Sequence, residues 1–355
     1  MERSYYLGLA ESGLRMPIAT NLVLHEKENP GAIVQDGERL GQVVAETAGR
    51  FGTPLAVPHM DLELEKAALL TALGIAPSDV DTYKFKDRPD DTTMRMLTDH
   101  FDPHTHRKLH AHIESVRWVA QNTDLLPIGM SIGPFSLTSK LLADPIMPIY
   151  MAGSGVTAAE DPEIETLERV LEIALHVVQA SVAEQITAGA EAVFIAEPAA
   201  NRVFFSPKQL EKGADIFDRY VLAPNRRIKK RLDASGADLI FHDCGELTDS
   251  MVEQLATLRP VILSLGSSRV LWEDAALVPK DIVLYGNLPS KKFYSDDLIS
   301  PEEVETRADE LVRQMRETGH PFILGTECDV LSVPGHQDTL MAKARLLGGR
   351  PVSAG

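Results

Sequence analysis

The sequence predicts an α/β protein built as one (β/α)8 barrel, a TIM barrel, over residues 1–355 with an N-terminal helical extension. Three observations carry that expectation. First, ITAGAEAVFIAEP (186–198) and LDASGADLIFHDCG (232–245) look like one unit used twice. Each runs from a helix end through a Gly-Ala-acid turn into a strand too apolar to have a wet face. RETGHPFILGTECDV (316–330) repeats the pattern. Second, apolar runs of strand length recur at 17–24, 55–60, 126–132, 192–196, 239–242, 261–265, 282–285 and 322–325. Third, helical segments lie between them. In 165–189, Leu167, Val170, Leu171, Ala174, Val177, Val178 and Ile186 recur mostly at steps of three and four. An open doubly wound sheet is the competing architecture, but it would more often show a Gly-rich fingerprint after its first strand, and none is visible. No Pro/Ser/Gly linker divides the chain.

The formal charge of −17 excludes a typical nucleic-acid binder, which must neutralise phosphates, and argues against docking on anionic lipid. MERSYYLGLAESGLRMP lacks a basic region followed by an apolar stretch, and no run of about 18 apolar residues would span a bilayer. Two cysteines do not make a disulfide framework. The expectation is a cytoplasmic enzyme with no membrane or nucleic-acid partner.

In a (β/α)8 barrel the chemistry sits at the C-terminal ends of the strands. His242 and Cys244 fall there in FHDCGE, two apart and so aimed the same way from a strand, and Cys328 falls just past the last strand. Thiolate and imidazole are zinc ligands, and a catalytic zinc typically keeps three protein ligands and one exchangeable position. Spacing leaves open the alternative of two buried free cysteines beside a core histidine.

Other candidates also have plainer readings. HFDPHTHRKLHAHI holds His100, His104, His106, His110 and His112; if Pro103 opens a helix, His106 and His110 share a face. That is either a second metal site or a polar surface helix. Asp61, at the end of its strand, could orient a substrate or act as an acid/base, as could Glu197 after AVFIA. Glu63 and Glu65 read as a solvated helix start. RRIKKR (226–231) reads as a solvated helix face.

Several stretches together resemble the uroporphyrinogen decarboxylase superfamily. They are FGTPLAVPHMDLELE (51–65), SIGPFSLTSKLL (131–142), FIAEPAANRVFFSPKQLEK (194–212), FHDCGE (241–246), YGNL (285–288) and GTECDVLSVPGHQDTLMAKARLL (325–347). The resemblance implies a (β/α)8 barrel. True decarboxylases of this superfamily carry an arginine-rich N-terminal motif that grips substrate carboxylates. GLRMPIATNLVLHE has Arg15 but no such arginine pair. The other branch, zinc-dependent corrinoid methyltransferases similar to methylcobalamin:coenzyme M methyltransferase, carries an HxC after one strand and a distant Cys near the last. His242, Cys244 and Cys328 match that pattern residue for residue.

The resemblance therefore implies zinc held by those three residues, a corrinoid (cobalamin) co-substrate delivered by a corrinoid protein, and a small thiol as methyl acceptor. Two thiolates and a neutral imidazole offset the 2+ charge of zinc, and a substrate thiol in the open position would be deprotonated yet remain nucleophilic. Glu197 stands where many relatives have Asp, so a role carried over to it is less direct. The alternatives are transfer from a methylated substrate to the corrinoid protein, a decarboxylase, or a barrel that binds a corrinoid or tetrapyrrole without catalysis.

Overall fold

The structure, a computed structural model, describes residues 2–348; residues 1 and 349–355 of the expected domain lie outside the described residues. Seven parallel strands pair strictly in chain order: β1 Leu55–Ala56, β2 Leu126–Ile132, β3 Ala192–Ala196, β4 Asp238–Asp243, β5 Ile262–Leu265, β6 Val283–Leu288 and β7 Phe322–Thr326. Helices cross between successive strands. The fold is therefore α/β, with a curled parallel sheet of the kind the repeated βα units predict.

Alternation along each strand sorts side chains into two cores. Met130, Phe194, Ile240, Ile262, Val283, Tyr285 and Ile323 face inward and pack together with Tyr6, Met16 and Ile18. Their neighbours Val193, Ile195, Leu239, Phe241, Leu263 and Leu324 face outward against the helices. Helix Pro162–Thr187 buries Leu167, Val170, Leu171, Ala174, Val177 and Val178, the face its periodicity predicts. Each such large apolar side chain contributes roughly 1.5–3 kcal/mol by leaving water. Helix Ala223–Ser235 ends on Gly236 at φ 76°, the left-handed cap expected from SGAD.

Helix Arg3–Glu11 lies under the N-terminal ends of the strands. Arg3 donates to the carbonyls of Pro260 and Asp281, which precede β5 and β6, and Tyr6 donates to Asp238 at the start of β4. No helix among the described residues is long and apolar enough to cross a membrane.

The expected strand at 17–24 is not formed. Residues Thr20–Leu24 are a fully buried helix, and a short apolar run without alternation is compatible with either state. Immediately before it, Arg15 makes a parallel bridge to Leu324 of β7, Met16 N–H donates to Leu324 O (2.9 Å), and Ile18 N–H donates to Thr326 Oγ1 (3.1 Å). On its other side, Thr20 Oγ1 donates to Val57 O just past β1 (2.7 Å). Residues 15–20 thus touch both edges of the sheet, while no ladder among the described residues joins β1 to β7 directly. The first strand is two residues rather than the expected six at 55–60, because Pro58 has no N–H to donate.

Candidate functional site

Parallel register brings the C-terminal ends of the strands to one rim. His242, at the end of β4, is level with Ser264 on β5 and Ala196 on β3. Cys244 follows two residues later, and Cys328 follows β7 by two residues. The ligand atoms of His242, Cys244 and Cys328 all lie within 4.8 Å of one another.

His242 is wholly buried, its ring tilted against Phe194 with centroids 5.5 Å apart. Its Nδ1 is 2.8 Å from Ser264 Oγ, whereas Nε2 is buried without a hydrogen-bond partner. A buried, unpaired imidazole nitrogen is costly and uncommon. One nitrogen held by a hydroxyl and the other bare beside two sulfurs is the arrangement of a metal-ligating histidine. The donor set fits zinc.

The two cysteines perturb each other. The neighbouring Cys328 thiol pulls Cys244 below the usual thiol range against its burial, with His242 and the Lys291 ammonium also beside it. Cys328 is pushed up in turn. Lys291, exposed at the rim, is raised by the charges of Cys244, Glu327 and Cys328 against a partial loss of hydration. Glu327 is fixed from three sides: Ser267 Oγ donates to Oε2 (2.6 Å), Lys291 N–H donates to Oε1 (3.2 Å), and Lys291 Nζ is 4.0 Å from Oε2.

Asp243 and Asp329 adjoin Cys244 and Cys328 in sequence. Asp243 accepts from Gly245 N–H on one oxygen, and its other oxygen is unpartnered. Burial pushes the Asp329 carboxyl up to about 7, against the backbone N–H groups of Met60, Val330 and Asn21 that surround it. Asn287 lies inside β6 and donates to the carbonyls of Gly266 and Arg269.

Glu197 is completely buried and fully engaged. It accepts from Phe135 N–H (3.1 Å), Ser136 N–H (2.7 Å) and Asn225 Nδ2 (2.9 Å). These bonds hold the N-terminus of helix Pro134–Leu141 against β3, and they counter the burial that raises the carboxyl. A Cβ on Gly133 would sit 2.0 Å from Glu197 Cδ, so only glycine permits this approach.

Asp61 is half-buried in the loop after β1, where its Oδ1 accepts from Glu63 N–H (3.0 Å). Its charge opposes the burial that lowers His59, and also acts on His106 and His112. Glu63 is exposed and paired with Lys140, as a solvated helix start requires. Glu65 departs from that reading: it is buried, accepts from Ser131 Oγ (2.6 Å) and Ser181 Oγ (3.0 Å), and burial pushes it up to about 7. It is the second residue of helix Leu64–Ala72, on the face packed inward.

A native carboxyl raised from 4.5 to about 7 binds its proton more tightly than the unfolded chain does. Its contribution to stability is therefore complete below pH 4.5 and lost as pH rises through 7. Relative to Glu65→Gln, the wild-type protein should lose on the order of 3 kcal/mol across that window, from a shift of about 2.5 pH units at 1.36 kcal/mol each. Urea unfolding at a series of pH values checks this; parallel curves for the two proteins would refute it.

The histidine-rich stretch also departs from expectation. Pro103 opens a single 3-10 turn, Pro103–Thr105, and the α-helix begins only at Arg107 with His106 as its N-cap. His106 and His110 are therefore not paired on one helix face. Instead His104 and His110 meet, while His112 is buried on the inner face and pushed down to about 4 by that burial. RRIKKR is a solvated face, with Arg226, Arg227 and Lys229 paired to Asp218, Glu172 and Asp233.

Ser264 and Lys291 escape a reading of the sequence. Ser264 sits mid-pattern in an apolar strand, and only the β4–β5 register reveals its partner. Lys291 follows β6 in a polar loop that carries no spacing signal.

A parallel α/β sheet with polar groups gathered at its C-terminal rim defines the class. The sequence profile of uroporphyrinogen decarboxylase (URO-D) matches residues 32–337, and the chain belongs to that family. Among solved structures, a methyltransferase from Methanosarcina mazei superposes with a TM-score of 0.65 at 15% identity, over 97% of this chain and 98% of its own. At that identity the likeness establishes a shared fold. Comparison with curated protein sequences gave no match.

Proposed function

We propose that the protein is a methyltransferase that moves a methyl group between a corrinoid and a small thiol such as coenzyme M, with zinc held by His242, Cys244 and Cys328. The observation that carries this is a buried His242 whose Nε2 has no hydrogen-bond partner and whose ring nitrogen lies within 4.8 Å of the two sulfurs. Family membership and the shared fold of a protein named a methyltransferase support the same reading. Bound there, zinc supplies a positive charge that keeps a substrate thiol deprotonated near neutral pH.

The chain's own residues do the positioning. Ser264 holds His242 Nδ1 and so presents Nε2 to the site. Lys291, beside the cysteine sulfurs, would offset the one negative charge left when a substrate thiolate joins the two cysteines, and Glu327 holds the backbone at Lys291. Glu197 acts by anchoring helix Pro134–Leu141 at the rim, and Asp61 orients substrate or moves a proton from the β1 loop. Residues 15–18 take the place of an eighth strand in one barrel unit. A corrinoid protein delivers the corrinoid to the rim, in the cytoplasm.

Decarboxylation of a polycarboxylated tetrapyrrole is less well supported. Arg15 lines a cavity with Glu11, Arg316 and His320 below the start of β7, at the opposite end of the sheet from Cys328. The deciding experiment is demethylation of methylcobalamin against a panel of thiols, with methylated compounds assayed in the reverse direction. Activity that needs zinc and free Cys244 supports the proposal. Protein purified without metal, unable to take up zinc at its cysteines and inert in both directions, refutes it.

A further inference from the structure

We propose that His104, His110 and Glu114 form a second divalent-metal site, for zinc or another imidazole-preferring transition metal. It lies between the turn Pro103–Thr105 and helix Arg107–Asn122. The ligand atoms of the three residues lie within 4.8 Å of one another. His104 Nδ1 and His110 Nδ1 are 2.8 Å apart, with ring centroids at 5.1 Å. Two nitrogens bound to one zinc at about 2.0–2.1 Å, with angles between square and tetrahedral, stand roughly 2.9–3.4 Å apart. The pair thus needs only a small opening to admit an ion.

Three features build this arrangement. His110 and Glu114 are one helical turn apart and share a face. Asp102 Oδ1 accepts from His104 N–H (2.9 Å) and fixes the turn that folds His104 back over the helix. On the far side of the ring, His104 Nε2 is 3.0 Å from Glu184 Oε2, on helix Pro162–Thr187. A carboxylate accepting Nε2–H leaves the lone pair on Nδ1, toward His110. This carboxylate–histidine pairing orients metal-ligating histidines. Arg117 Nε donates to both Glu114 oxygens at 3.2 Å and keeps that carboxylate turned along the same face. Two imidazoles and one carboxylate leave open coordination positions on the solvent side. Such a site would tie the turn and two helices together and shares no residue with His242, Cys244 and Cys328.

The test uses the full chain with Cys244→Ala and Cys328→Ala combined, stripped with a chelator and titrated with Zn2+ alone. One equivalent should bind, and His104→Ala or His110→Ala on that background should abolish it. Glu184→Gln should weaken it by about 10–100-fold. Co2+ bound there should show no thiolate charge-transfer band, which separates this site from the cysteine one. Absence of stoichiometric binding, or binding indifferent to His110→Ala, overturns the proposal. Should the doubly substituted chain fail to fold, metal counting on otherwise wild-type protein decides: His110→Ala must remove one equivalent while leaving the cysteines metal-protected from thiol reagents.

Discussion

Replacing Cys244 with alanine is expected to weaken zinc binding at His242 and Cys328 by about 10²–10³-fold and to abolish thiol-dependent demethylation of methylcobalamin. Structural zinc sites bind with apparent free energies of about 10–16 kcal/mol, so three or four ligands share roughly 3–4 kcal/mol each. The same substitution removes the partner that shifts Cys328, whose thiol should titrate closer to its ordinary range in the metal-free protein. Ser264→Ala provides the graded comparison. It leaves all three donors but frees His242 Nδ1, and should cost about 10–100-fold in affinity with activity recovered at saturating zinc. Competition against a chromophoric chelator measures both. Wild-type affinity in Cys244→Ala would remove the basis of the proposed function.

Glu197→Ala should destabilise the fold by on the order of 3–5 kcal/mol. Three buried donors, Phe135 N–H, Ser136 N–H and Asn225 Nδ2, lose their acceptor together. Each unmet donor costs about 1–3 kcal/mol, moderated where water refills the space. Glu197→Gln keeps the volume and one acceptor oxygen, so a smaller loss is expected. Chemical denaturation distinguishes anchoring from direct chemistry: an acid/base would lower turnover in Glu197→Gln with stability intact. Unchanged stability in Glu197→Ala would rule out the anchoring role.

Much of the sheet was legible because most of its strands are buried on both faces and read as unbroken apolar runs. Residues 126–132 and 192–196 have the predicted bounds for that reason. The segment at 17–24 failed because an apolar run without alternation does not distinguish a strand from a buried helix. In the candidate site, FHDCGE and the late cysteine stand out as polar groups at or just past the ends of apolar strands, and the fold brings them together. MDLELE reads as an acidic helix start, which hides the burial of Glu65. Its partners Ser131 and Ser181 come from distant elements that local sequence cannot reveal. The His104–His110 contact is hidden in the sequence because Pro103 starts a tight turn rather than the helix, which begins only at Arg107, so His104 folds back onto it from outside.

The bond between Ile18 and Thr326 joins positions 308 residues apart. During synthesis the segment around Met16 has no β7 to pair with until nearly the whole sheet has emerged. Pairing at such separation is slow, because chain closure must precede any gain from the contact. Until then Ile18 and the inner ends of Leu55 and Val57 lack part of their final cover. The growing chain is therefore most exposed to aggregation or proteolysis just before its last strand is made. Truncations that remove β7 should accumulate as insoluble material even though six of the seven strands remain encoded.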